Sequence, residues 1–598
     1  MNRCREIVRM GRVGKYLTVS IIFSHIWSAS AFSQGERGRP SQFVAPDGEI
    51  GRLGGTLVVA LSSEIKTLNP ILSVDVSSRE VMGVMHADLV HINRESQRTE
   101  AALAESWSVS ASGLRYTVRL RQGLRFSDGA PMDADDVVFS YRAYLDPNVH
   151  SPQRDLLLID GKPISVEKID SRTVLFEFAK AYAPAERVFD GLAILPRHLL
   201  EKAYQEGKLG QVWNLASATN EVAGLGPFRF KEYVPGQKLV CERNPYYWKA
   251  DRDGHPLPYL ENLVFVFVPN EDAQVLRLIS SETQILERLG AANFVALRKR
   301  SEANSLCLKD LGPSLEYTFL FFNLNDLSGP QTTAIIRKQE WFRDENFRKA
   351  ISAVVDRDGI SRLVYGGHAL PIWSQVTPGN KFWVDSEVPR PAKSADRARE
   401  LLTKSGFRWK SDGTLEDGHG TAVEFTIMVS SSRTERIKIA TIVQDDLAQL
   451  GIRASVLSVE ARSLTDRLFN SKEYEAMITT LASGDADPGS EMNVWTSGGA
   501  THLWDLGQKQ PHTEWEAAID KLMEQQLGTL NPVERKQLYD RVQRLVADHV
   551  PMIFLVSPNI HVGSARTVGN FRPGILYPYG IWNADQLFFR ADGGRACQ

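Results

Sequence analysis

Hydrophobic positions recur along this chain with two different periods. Leu114, Tyr116, Val118 and Leu120 point one way while Arg115, Thr117 and Arg119 point the other, which predicts a half-buried strand; residues 173–178 repeat that alternation. Residues 54–61 and 263–268 are apolar throughout, and residues 317–325 form the most apolar strand-like run in the chain. A helical period marks residues 78–91, with Val81, Met82, Met85 and Leu89 on one side, and residues 272–289, with Val275, Leu276 and Ile279. Asp133 can cap a helix that starts at Ala134.

The pattern becomes regular after residue 344. Phe347, Ala350, Ile351 and Val354 define one helix; residues 360–365 continue as a second, ended by Gly366-Gly367. A helix capped by Ser394 follows. Then come a strand at 423–429, a helix at 437–450, a strand at 452–459, a short helix at 461–470 and a strand at 474–481. This alternation predicts a parallel sheet with helices on its faces, and such sheets bind ligands beyond the carboxyl ends of their strands. Two more helices, 515–526 and 533–549, precede a strand at 552–556.

One stretch breaks these rhythms. Residues 481–504 leave the carboxyl end of a predicted strand and carry Asp485, Asp487, a Pro-Gly turn, Trp495, His502 and Trp504. Loops held by a rigid scaffold carry function more often than their share. We therefore take Asp485 and Asp487 as candidate ligand anchors, Trp495 and Trp504 as candidate pocket walls and His502 as a hydrogen-bonding partner. Asn69, after the first strand, and Asn323, at the end of the most apolar one, are weaker candidates, the first for the opposite side of a cleft and the second for its hinge. Each has a structural alternative: core packing for the aromatics and His502, turn formation for the two asparagines.

Composition narrows the function classes. The 598 residues are 43% hydrophobic and 24% charged, which is globular, and the net charge of −2 implies no general attraction to nucleic acid. Residues 1–33 have the layout of a signal peptide: Arg3, Arg5, Arg9, Arg12 and Lys15, a short apolar run, then small residues. Removing them takes away five basic groups and Glu6, so −2 becomes −6. No Cys follows the apolar run for lipid attachment, and the expected location is periplasmic. Residues 34–50 read as a flexible lead-in. With Cys4 in the leader and Cys597 in a polar tail, only Cys241 and Cys307 remain as an internal pair, and we expect them to be separate.

No local metal-ligand spacing, nucleophile elbow or phosphate loop occurs, so neither a metal, a cofactor nor catalytic residues are assigned. Gly224-x-Gly226 is followed by Pro227, which suits backbone freedom in a turn rather than a phosphate cradle.

Four landmarks in order carry a resemblance. They are Ala102-Leu-Ala-Glu-Ser-Trp107; Leu120-Arg-Gln-Gly-Leu-Arg-Phe-Ser-Asp-Gly-Ala-Pro-Met-Asp-Ala-Asp-Asp-Val-Val-Phe-Ser-Tyr141; Gly226-Pro-Phe228 with Arg243-Asn-Pro-Tyr-Tyr-Trp248; and Phe342-Arg-Asp-Glu-Asn-Phe-Arg-Lys-Ala-Ile-Ser-Ala-Val-Val-Asp356. Together they resemble the family 5 extracellular solute-binding proteins of ABC importers, the dipeptide, oligopeptide and nickel type, over residues 52–590. The resemblance implies an α/β bilobal clamshell of the type II-like periplasmic-binding-protein class with an extra inserted subdomain. Lobe I would comprise 51–92, 216–318 and 556–590; the insert 93–215; lobe II 319–555; and 591–598 a tail. It implies a monomer that captures a small solute, peptide or peptide-like, by hinge closure, with an ABC permease and its ATPase subunits as partners. Peptide-binding members carry an acid for the ligand's α-amino group in a Trp-x-x-Asp-x-x-Asp-Pro type loop. Here Leu481-Ala-Ser-Gly-Asp-Ala-Asp-Pro488 keeps the Asp-Pro with a spacing one residue shorter, which puts Asp485 first and Asp487 second as anchor. A secreted hydrolase acting on peptides or oligosaccharides, or a ligand-sensing binding protein, is the alternative.

Overall fold

The computed structural model describes residues 43–44, 48–299, 301, 305–328, 332–483, 486–591 and 597. The expected leader, residues 1–33, lies outside them. Among the described residues no helix is long and apolar enough to cross a membrane.

A twelve-stranded sheet runs through the molecule. Its strands are β1 (Thr56–Leu61), β2 (Phe228–Val234), β3 (Lys238–Arg243), β4 (Asn262–Phe267), β5 (Ile285–Leu286), β6 (Leu306–Pro313), β7 (Glu316–Phe322), β8 (Ala369–Pro371), β9 (Glu424–Ser430), β10 (Arg453–Val459), β11 (Ala476–Ala482) and β12 (Met552–Ala565). The order is β2-β3-β4-β1-β5-β12-β7-β11-β9-β10, with β6 and β8 also paired to β12. The predicted parallel unit is present: β9 runs parallel to β10, with Ile427 opposite Val456, and to β11, with Met428 opposite Met477. β7 lies antiparallel to both β11 and β12. Its run of Tyr317, Phe319, Leu320, Phe321 and Phe322 is buried on both faces, as a central strand requires.

β12 joins the two ends of this sheet. Its first residues pair with β7, Ser557 and Pro558 pair with β8, and Asn559 onward pairs with β6. The sequence pattern ends this strand at Val556, but it continues to Ala565. Pro558, which cannot donate to a ladder, sits where the partner strand changes, so its missing N–H costs no pairing.

Two large apolar cores flank the crossing. One joins Leu57, Leu263 and Phe265 to Phe126, Val174 and Phe176, so the four-stranded sheet built from Ala104–Val109, Arg115–Leu120, Ser165–Asp170 and Thr173–Glu177 shares it. The other gathers Tyr317, Phe347, Ile427, Val443, Ile478 and Val546. Its helices include α1 (Glu345–Val354), α2 (Thr434–Ala448), α3 (Glu514–Gly528) and α4 (Pro532–His549). Asp344, Thr513 and Asn531 cap α1, α3 and α4 through their side chains.

Three expectations need correction. The helix predicted over 272–289 is Glu271–Ile279; Ser281 takes φ 63° and the following residues return as β5. The helix predicted over 78–91 is Val76–Met85, after which Val90–Ile92 is a strand. The backbone of Gly224 and Gly226 presses on the end of that helix: a Cβ on Gly224 would lie 2.1 Å from the Met85 carbonyl oxygen. These glycines therefore provide close approach, not a special backbone angle.

Cys241 and Cys307 are separate, as expected, but Cys597 in the polar tail is not unpaired. Cys307 on β6 is bonded to Cys597, with Cα atoms 5.4 Å apart, and Cys241 is free and buried. Burial pushes the Cys241 thiol pKa far up, so it is unreactive. Spacing along the chain cannot reveal a partner 290 residues away.

Candidate functional site

The loop after β11 meets the other half of the molecule. Ala486 packs in a small apolar cluster with Ile92, Leu315 and Leu576. Further contacts cross between the halves: Ala183 N donates to the Leu527 carbonyl at 2.6 Å, and Lys180 Nζ lies 3.3 Å from Glu524. Beside Ala486 is a small cavity of about 10 Å³, room for about one water, lined among others by Gln375, Asn380, Ser483, Glu491 and Tyr539. Gly484 and Asp485 lie outside the described residues.

The cavity wall is a polar network on an apolar base. Asp487 caps the short 3-10 helix Pro488–Glu491 by accepting from Gly489 N at 2.8 Å. That turn carries Glu491 inward, where its Oε2 accepts from Trp495 Nε1 at 2.9 Å and lies 3.4 Å from the Tyr539 hydroxyl. Burial raises the Glu491 pKa to about 7, against the lowering effect of its hydrogen bonds from Trp495, Ser483 and Tyr539. The Tyr317 hydroxyl is buried beside this group without a hydrogen bond, and the buried amide atoms of Gln375 lack well-formed ones. Asn380 Nδ2 donates to the Ala486 carbonyl at 2.7 Å and ties the loop down. Unpaired buried polar atoms beside an ionisable carboxylate form a site suited to a polar or cationic guest.

The other sequence candidates take structural places. Asp487 is held by Arg535, whose Nη1 and Nη2 donate to its two oxygens at 2.6 and 2.7 Å. The Arg535 guanidinium also donates to Gln526 and lies 5.0 Å from the Trp383 ring, so Asp487 has no charge left to offer a ligand. Trp504 and His502 are buried in the second core rather than on the cavity wall. The His502 and Trp504 rings pack at a tilt with centroids 3.8 Å apart, and both face Glu516, at 3.4 Å from His502 Nε2 and 3.2 Å from Trp504 Nε1. Trp495 is equally buried and reaches the cavity only through Glu491. Asn323 Nδ2 donates to the carbonyls of Lys472 and Tyr474, and its Oδ1 accepts from Asn325. Asn69 Nδ2 donates to the carbonyls of Leu209 and Val212 while its Oδ1 caps a 3-10 turn. These amides hold loops together, as buried polar groups with full hydrogen bonding do.

Sequence reasoning missed Glu491, Gln375 and Tyr539. Glu491 is the third acid of the stretch singled out by its composition, and its distance from the Asp-Pro could have marked it. Gln375 and Tyr539 arrive from distant segments and leave no local signal.

Comparison with known proteins agrees with the fold. Residues 98–502 match the model of the bacterial extracellular solute-binding proteins, family 5 Middle. A probable ABC transporter-binding protein of Deinococcus radiodurans is 26% identical over 559 residues, covering 90% of this chain and 92% of its own. The oligopeptide-binding protein AppA of Bacillus subtilis is 24% identical over 526 residues, covering 87% and 89%. The structure of AppA in complex with a nonapeptide superposes with a TM-score of 0.68 at 23% identity, over 90% of this chain and all of that one. The chain belongs to the bacterial extracellular solute-binding proteins of family 5, the non-catalytic substrate-binding components of ABC transporters.

Proposed function

We propose that the protein captures a peptide or peptide-like solute in the cavity after β11 and presents it, closed, to an ABC permease in the periplasmic space. The observation that carries this reading is the buried Glu491 carboxylate in a cavity beside contacts from both halves of the sheet. An ammonium facing a carboxylate in a water-poor cavity interacts far more strongly than at the surface. Asp485 is proposed as a second anchor, because its chain neighbours Ser483 and Ala486 both line the cavity. The relatives named for oligopeptides support a peptide. The cavity holds about one water as it stands, so admission of a solute requires the halves to separate.

In this reading residues 51–92, 216–318 and 556–590 form one lobe with 93–215 inserted in it, and 319–555 form the other. Residues 1–33 are removed on export, and the Cys307–Cys597 bond suits the oxidising space outside the inner membrane. Native mass spectrometry of the protein as isolated, followed by calorimetry with the retained solute, tests the reading. Asp485→Asn and Glu491→Gln should weaken an amine-bearing solute at least tenfold each, about 1.4 kcal/mol or more. Solute should also reduce the radius of gyration in solution scattering. Unchanged affinity in both variants would reject the anchors, and an unchanged radius at saturation would reject closure.

A further inference from the structure

We propose that Asp310, His368 and His561 form a binding site for a divalent transition ion of the zinc type where the two ends of the large sheet cross. The three come from different segments: Asp310 from β6, His561 from β12, and His368 from the residue before β8. Their ligating atoms lie within 4.8 Å of one another. His368 Nδ1 is 2.9 Å, and His561 Nε2 3.5 Å, from Asp310 Oδ2. Tetrahedral zinc, about 2.0 Å from its ligands, spaces them about 3.3 Å apart, so only small side-chain shifts are needed.

The protonation pattern of His561 points the same way. Its Nδ1 lies 3.3 Å from the Leu289 carbonyl, which can only accept, so Nδ1 carries the hydrogen. In a neutral ring Nε2 then presents a lone pair. That atom is buried and without a hydrogen-bond partner, and it faces a carboxylate oxygen, another acceptor. Two facing acceptors require a proton or a metal cation between them, and a zinc-type ion meets that need. The ring is 2% exposed and stacked on Phe294 at 4.2 Å, which fixes its orientation.

The surrounding shell completes the arrangement. A histidine that donates one N–H to a backbone carbonyl and offers its other nitrogen is oriented as metal-binding histidines usually are. Asp310 is fixed by Gly312 N at 2.9 Å and Asn559 Nδ2 at 3.0 Å. The side chains of Asp310 and His368 are 28% and 18% exposed, which leaves an entry path and a place for water as fourth ligand. The other such group among the described residues, Asp88, His91 and Asp190, already has a cation, with Arg94 Nη1 3.6 Å from Asp190. An ion at Asp310 would staple the three segments that join the halves. This inference does not rest on the identity of the solute.

The test is calorimetry of tag-free, chelator-stripped protein with zinc chloride. One zinc per chain is expected, with a dissociation constant in the micromolar range or below. His368→Gln and Asp310→Asn should each weaken it about tenfold or more while the metal-free variants keep wild-type circular dichroism. X-ray absorption should record two imidazole ligands. No binding at roughly 100 μM zinc, or binding that both variants retain, overturns the proposal.

Discussion

Arg535 on α4 grips Asp487 through two parallel hydrogen bonds of 2.6 and 2.7 Å, with both side chains buried. The pair joins the loop after β11 to the helix behind it. It also separates the acids of that loop by role, because Asp487 anchors the loop and leaves Glu491 to face the cavity.

Removing one member of a buried ion pair strands the other charge. Asp487→Asn should therefore lower the unfolding free energy by about 3–5 kcal/mol, read from urea denaturation. Loss of less than about 1 kcal/mol would mean that solvent reaches Arg535.

Glu491 makes stability depend on pH in a defined window. Its folded pKa of about 7 lies above the ordinary 4.5, so the folded chain holds this proton more tightly than the unfolded chain does. Stability from this group is full below pH 4.5 and is lost as pH rises through 7, by up to about 3 kcal/mol. Glu491→Gln should remove that slope, measured as the difference between wild-type and variant denaturation curves at pH 5 and 8. A cationic solute bound there should also release a proton near pH 7, seen as a dependence of binding heat on buffer.

Glu516 acts in the opposite sense. Burial opposes its charge, but hydrogen bonds from His502, Thr513, Gln508 and Trp504 outweigh burial and bring its pKa down to about 2. Its contribution is present above pH 4.5 and is lost as pH falls towards 2, by up to about 3 kcal/mol. Glu516→Gln should flatten the acid limb of the stability profile and lower the thermal midpoint at neutral pH. An unchanged acid limb would show that the charge is held elsewhere.

The Cys307–Cys597 bond ties the last residues of the chain to β6. Cys597→Ser should cost about 2–5 kcal/mol, measured by denaturation without reductant. Thiol titration of the exported, unreduced chain should find one group, Cys241, reactive only after unfolding.

Much of the fold is legible in the sequence because periodicity reports burial directly. The alternation at 423–429, 452–459 and 474–481, with helices between, implies the parallel unit that is observed as β9, β10 and β11. The caps at Asp133 and Ser394 are equally local signals, since a side chain bonds a backbone N–H two or three residues on. The length of β12 is not local, because Pro558 is tolerated only through a change of partner strand that no neighbouring residue announces.

The sequence by itself determined the family, the α/β class and the loop after a parallel strand as the place to look. Those properties rest on ordered motifs and on the periods of apolar residues. Tertiary structure alone decided what each side chain there does. Asp487 is an anchor for the loop because Arg535, 48 residues on, is folded against it. Trp504 and His502 are core because Glu516 meets them, Cys307 finds Cys597 across 290 residues, and Asp310 finds His368 and His561 at the crossing. A charge or a lone pair is defined by what faces it, and only packing brings distant residues face to face.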